Sequence, residues 1–245
     1  MAALSGRRVL VLGGSSGIGL ATAQLAKDLG AEVTITGRSK ERLAQAKGVL
    51  GDVNAWIGDI TREQDTANAF ARLGVVDHVF LSGGGSVFGN LVKLPHAELE
   101  RIVDERIWAV VYVARGAASH MKAGSITLMS GGLGSRPAPG AAMKHAVLCA
   151  TEGLARGLAL ELAPLRVNAI APGYTRTPAF EGLLGDDPAA RIEEMSANLP
   201  LKRVGRAEEV GQAVIALMTN EFINGEVLHV DGAGRFVRPA LTYSQ

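Results

Sequence analysis

At 245 residues, with a formal net charge of +1 and Lys and Arg scattered along the whole length, the chain has room for a substantial core and lacks the basic patch of a nucleic-acid binder. The one cysteine, Cys149, excludes an internal disulfide and fits a reducing compartment. No apolar run approaches the ~18 residues a membrane span needs, and the run after Arg7-Arg8 ends at once in Gly13-Gly14-Ser15-Ser16-Gly17, too soon for a signal peptide. A cytoplasmic protein with no membrane partner is expected.

In chain order, apolar runs rich in Val, Ile and Leu fall at 7–12, 32–36, 53–57, 77–81, 125–129, 166–170 and 226–230. Strands covered on both faces read this way, as in a parallel sheet between helices. Helix-like segments lie between them, among others at 18–29, 40–49, 62–73 and 141–162. The alternation predicts one α/β domain over 1–245: a Rossmann fold with a doubly wound parallel sheet of about seven strands. Such sheets bind ligands beyond the carboxyl ends of their strands, so function is sought in the turns that follow.

The first turn is the most informative. Gly13, Ser15, Ser16, Gly17, Ile18 and Gly19 follow a strand and open a helix, with glycines at 4-then-2 spacing. Glycine lets the backbone turn sharply and approach a pyrophosphate, which unpaired N–H groups at the helix start favour. After the second strand, where an acid would bond a ribose 2′-hydroxyl, stand Arg38 and Ser39. Positive charge there suits a 2′-phosphate, and opening a helix with Arg38 and Lys40 is otherwise electrostatically unfavourable.

The glycine spacing resembles that of the short-chain dehydrogenase/reductase family, and the resemblance runs along essentially the whole chain. Asp59-Ile60 matches the adenine-contacting position. Ser82, Gly83, Gly84 and Gly85 stand where the family has Asn-Asn-Ala-Gly. Arg166 to Gly173, with Thr175 and Thr177 after it, is similar to the motif after the sixth strand, and Val230-Asp231-Gly232 to the final strand and turn. The resemblance implies NADP(H) as cofactor, held by these residues together with Lys144, Pro172 and Gly173. It also implies a homodimer or homotetramer and no metal.

The family's chemistry is acid–base catalysis by a Tyr, with a Lys one helical turn later, a Ser that orients the substrate carbonyl and an Asn. Here Ser130 matches the serine and Lys144 the lysine, which puts Gly140 at the Tyr position and Arg106 at the asparagine. Ser130 stands only 10 residues before Gly140, closer than is usual in the family, so the loop between them reads as shortened. Tyr174, His145 and Tyr243 are the candidate substitutes for the phenol, with Tyr174 preferred; Ser130, Lys144 and Tyr174 are thus the expected catalytic set. Cys149 is expected to be a buried small hydrophobe, and Trp108 with Tyr112 to be packing or interface residues. The segment 174–200, which resembles a substrate lid, mixes Phe180, Leu183, Leu184 and Met195 with acids. The function implied is an NADP(H)-dependent oxidoreductase for a carbonyl or alcohol with a non-standard proton donor. The alternatives are a catalytically silent NADP-binding module and an isomerase or lyase on the same scaffold.

Overall fold

The structure is a computed structural model and describes residues 3–85 and 87–237. Seven strands form the main sheet. In chain order the elements begin β1 (Arg8–Leu12), α1 (Gly17–Asp28), β2 (Glu32–Gly37), α2 (Lys40–Leu50), β3 (Asn54–Ile57), α3 (Glu63–Leu73) and β4 (His78–Leu81). Next come α4 (His96–Val103), a π-helical turn (Asp104–Trp108), α5 (Ala109–His120), β5 (Ser125–Met129), the short α6 (Gly132–Ser135), α7 (Ala142–Glu161) and β6 (Arg166–Pro172). The chain continues with β7 (Thr175–Arg176), α8 (Pro178–Glu181), α9 (Pro188–Asn198), β8 (Gly205–Arg206), α10 (Ala207–Thr219) and β9 (Val227–Val230). Every apolar run read from the sequence is a strand, and each named helix segment begins and ends within one residue of its observed helix.

The sheet order is β3-β2-β1-β4-β5-β6-β9, with every pairing parallel. β1 shows why its sequence lacks polar alternation. Leu10 and Leu12 face a core completed by Phe70, Val110, Val113, Ala117, Ala155 and Ala159, from α3, α5 and α7. Val9 and Val11 face the other core, with Ala23, Ala26, Leu43, Ala46, Val210 and Val214 from α1, α2 and α10. Both faces of the strand are dry, so both sets of side chains must be apolar.

The strand order reverses between β1 and β4, which leave the sheet side by side at Leu12 and Leu81. A crevice opens at this switch point, beyond the carboxyl ends of the strands. β7 and β8 pair as a separate two-stranded ribbon. Among the described residues no helix is long and apolar enough to cross a membrane.

Candidate active site

The crevice is a cavity of about 640 Å³, within the usual range for small-molecule sites. At one end lies the glycine turn. Gly13 has φ 91°, and a Cβ there would sit 2.6 Å from Gly83 N, so the β1 and β4 turns touch only because Gly13 lacks a side chain. A Cβ on Gly19 would meet Gly13 O at 2.3 Å and Ser82 Oγ at 2.9 Å. Gly19 is off the cavity wall; it lets helix and turn close up, while Gly13, Ser15, Ser16, Gly17 and Ile18 form the surface. Ser16, at the N-cap of α1, makes no side-chain cap bond, which leaves the first-turn N–H groups to a ligand. A cradle that added Cβ atoms would fill, at an uncapped helix start, fits the pyrophosphate of a dinucleotide.

Arg38, Ser39 and Arg42 line the same end of the cavity, and Arg42 is a second cation that carried no motif signal. Ser39 Oγ caps α2 by accepting from Arg42 N at 3.2 Å and donates to Glu41. Arg38 is exposed, and its Nη1 lies 3.7 Å from Glu105 Oε1 across the cavity. Ile60 is on the wall and Asp59 is not. Asp59 Oδ1 accepts from Thr61 N and Oγ1 and so caps its own turn, between the wall residues Gly58 and Ile60. Ser82, Gly83, Gly84, Pro172, Gly173, Thr175 and Thr177 are all on the wall.

The opposite end carries Ser130, Lys144, Leu148, Glu105 and Arg106. The π-helical turn turns the adjacent residues Glu105 and Arg106 inward, and both are buried. Arg106 donates to Met129 O at 2.8 Å and to Gly84 O at 3.1 Å; burial lowers its pKa to about 10, and its Nε has no partner among the described residues. Lys144 Nζ donates to Gly85 O at 2.7 Å, while Gly85 N donates to Glu105 Oε2 at 2.5 Å. Burial, and then the Arg106 charge, bring the Lys144 pKa down to about 6, with Glu105 opposing. The Ser130 hydroxyl is also engaged: it donates to Glu152 Oε1 at 2.7 Å.

Gly140 is not presented from the helix. It precedes α7, has φ 72° and is absent from the cavity wall, and its carbonyl accepts from Gly89 N at 2.8 Å. A tyrosine there would carry left-handed strain of about 1–3 kcal/mol without facing the cavity from α7. The α7 residues one turn apart that do line the cavity are Lys144 and Leu148.

Tyr174 is on the wall, its ring 5.8 Å from that of Phe180, and Phe180 and Leu183 extend the apolar surface; Leu184 and Met195 are buried. His145 is off the wall, with Nδ1 on Leu133 O at 2.7 Å. Tyr243 lies outside the described residues. Cys149 is exposed, contrary to the buried position expected, because residues 146, 149, 150 and 153 of α7 face outward; its thiol donates to Gly134 O at 3.3 Å. Trp108 is exposed and stacks on Tyr112 at 6.3 Å. No group of three or more His, Cys, Asp or Glu among the described residues could hold a metal.

Residues 13–233 match the sequence profile of a family described as Enoyl-(Acyl carrier protein) reductase. Curated relatives include the short-chain dehydrogenase/reductase malC of Malbranchea aurantiaca, 28% identical over 96% of each chain, and a 3alpha-hydroxysteroid dehydrogenase of Mediterraneibacter gnavus, 32% identical over 95% of this chain and 98% of the relative. The solved structure of MalC reductase/Diels-Alderase superposes with a TM-score of 0.90 at 29% identity, covering 96% of this chain and 98% of that one. A small-chain dehydrogenase solved in complex with NADPH superposes with a TM-score of 0.82 at 30% identity, covering 95% of this chain and 100% of that one. Sheet order, glycine turn and matched profile agree, and the chain belongs to the short-chain dehydrogenase/reductase family.

Proposed function

We propose that this protein is an NADP(H)-dependent oxidoreductase acting on a carbonyl or alcohol. The observation that carries this reading is the single cavity that runs from the glycine cradle and Arg38 to Ser130 and Lys144, with Phe88, Leu133, Phe180 and Leu183 as an apolar wall for substrate. The relatives named dehydrogenase and reductase, and the neighbour crystallised with NADPH, support it. When bound, the reduced nicotinamide supplies a hydride. The chain's own residues orient the carbonyl through Ser130 and offer N–H groups from Lys144 and Arg106 toward charge that develops on its oxygen.

The phenol's place falls one turn later than Gly140. Lys144 and Leu148 have the one-turn spacing of the family's acid–base pair and face the cavity, and counting from Ser130 to Lys144 removes the need for a shortened loop. Leu148, an apolar residue in the second position, favours the alternative of a cofactor-binding module without turnover. Oxidation of NADPH with a broad carbonyl panel, set against cofactor binding alone, separates the two readings.

Cofactor choice rests on Arg38. Arg38→Ala is expected to weaken NADPH about ten- to a hundredfold and leave NADH nearly unchanged, as loss of a charge-assisted hydrogen bond to a phosphate requires. Calorimetric titration of both cofactors checks this; equal affinities in the parent protein would remove the NADP assignment.

We also propose self-association through α7. Its outer face presents Ala146, Ala150, Gly153, Gly157 and the exposed Leu160, small or apolar residues with open space beyond both glycines. Light scattering at micromolar concentration is expected to give a dimer or tetramer mass, and Leu160→Glu to shift it toward monomer. The reducing setting suited to the exposed Cys149 thiol is the cytoplasm.

A further inference from the structure

Ser130 follows β5 directly on the cavity wall, and behind it, off the wall, stands Glu152 on α7. Both are buried, and the hydroxyl donates to Oε1 at 2.7 Å. A buried carboxyl is unfavourable unless its surroundings are built to hold it. Here the seat is shaped by Gly134 of α6, where a Cβ would lie 2.5 Å from Glu152 Oε1. Gly134 has no left-handed φ to explain its glycine, so the missing side chain serves the carboxyl. The second oxygen, Oε2, faces outward, 4.0 Å from Nη2 of the exposed Arg156.

The charged surroundings are sparse. Arg156 and the Cys149 thiol, whose pKa burial and Glu152 push up, flank the carboxyl on α7, while the turn after β5 brings Ser130 and α6 no ionisable group. Lys144, Arg106, Glu105 and Arg101 form a separate set, coupled to one another. The carboxyl therefore touches the cavity at one point, the Ser130 hydroxyl, and touches the outside at another.

We propose that Glu152 is the proton-relay partner of Ser130, acting through its hydroxyl in place of the absent phenol. The proposal rests on the oxidoreductase reading above. In oxidation the alcohol carbon gives up its C–H pair as a hydride to the oxidised cofactor, and the O–H pair becomes the C=O π bond. The alcohol proton passes to Ser130 Oγ as Oγ gives its own proton to Glu152 Oε1, along the hydrogen bond already formed. A C–H and an O–H bond break on the substrate, the serine O–H is remade, and the carboxyl releases its proton to water at Oε2. Reduction of a carbonyl runs the same path backward, with the proton entering from water at Oε2. Glu152 is a positioning residue in this scheme, since only Ser130 meets substrate.

The test uses the full chain with NADPH and an acetoacetyl thioester as carbonyl probe. Glu152→Gln, which keeps the shape and removes the acid, is expected to lower kcat about 10²–10⁴-fold and to erase the carboxyl-dependent limb of its pH profile. KM and the NADPH dissociation constant are expected to stay within about twofold, because neither ligand reaches Glu152. Glu152→Asp should restore part of kcat, and Gly134→Ala, which parts the two groups while keeping both, should fall with Glu152→Gln. Infrared titration of the cofactor-free protein supplies a readout apart from turnover: a carboxyl band lost in Glu152→Gln and shifted in Ser130→Ala. Wild-type kcat and pH profile in Glu152→Gln, an unshifted band in Ser130→Ala, or a collapse of kcat in Tyr174→Phe alone overturns the relay while leaving the oxidoreductase reading intact. A parent protein that binds NADPH and turns over neither the thioester nor any of the carbonyl panel defeats that reading instead, and the relay with it.

Discussion

Ser130→Ala should lower turnover about 10²–10⁴-fold while NADPH still binds, since the substitution removes the one hydroxyl that joins the cavity to the Glu152 carboxyl. The isosteric loss is small in volume, so stability should change little, and a fold loss measured by circular dichroism would mean that the hydrogen bond to Glu152 is structural. Lys144→Met is the companion. It removes an amine that burial and Arg106 hold near a pKa of about 6, so above that pH a neutral group is exchanged for a neutral one of similar length. A group whose folded pKa is depressed from 10.5 weakens the fold most at low pH, where both states would otherwise hold the proton, and the penalty is relieved as pH rises from about 6 toward 10.5. Lys144→Met is therefore expected to flatten the rise of stability with pH across that window, as well as to slow catalysis. If both variants keep the parent rate while NADPH binds, this pair is not the catalytic one.

Gly19→Val should abolish cofactor binding outright, by at least about a hundredfold, and destabilise the fold by about 1–3 kcal/mol. The contact it breaks is backbone against backbone: a Cβ 2.3 Å from Gly13 O cannot be relieved by turning a side chain. The turn after β1 would have to move away from α1, and the N–H groups that meet the pyrophosphate would move with it. Fluorescence titration with NADPH and thermal unfolding report the two effects separately. Retained affinity in Gly19→Val would show that the cradle is set by Gly13 and Gly17 alone.

The cofactor half of this protein was legible in its sequence because its signals are local. A strand, a glycine turn and a helix start are consecutive in the chain, and Arg38 sits at the end of the next strand. Asp59 is harder to read, because capping a turn and contacting adenine select the same residue type, and its bonds from Thr61 show the first role. The catalytic half is less legible, for a different reason. Gly140, Lys144, Leu148 and Glu152 are spaced four apart, so a one-turn spacing rule fits several pairs equally well. What breaks the tie is where the helix starts, at Ala142, and no capping residue marks that start, since Ala141 is the N-cap. Cys149 reads as buried for a related reason: small residues cover most of α7, and composition does not say which side meets the sheet. Glu152 carried no signal, because its partner Ser130 is 22 residues away.

The π-helical turn has a consequence for how the site can vary. Between Ile102 and Val110, both anchored in apolar cores, the chain fits a wider turn than an α-helix would use. A π turn advances less per residue than an α-helix, so its five residues cover about the rotation that four would cover in ordinary winding. Deleting one residue from Asp104–Trp108 would therefore restore an α-helix while Ile102 stays with Val87 and Val147 and Val110 stays in the other core. What the extra residue holds is the inward phase of the adjacent pair Glu105 and Arg106: its loss would spare the core on both sides and take that pair out of the site.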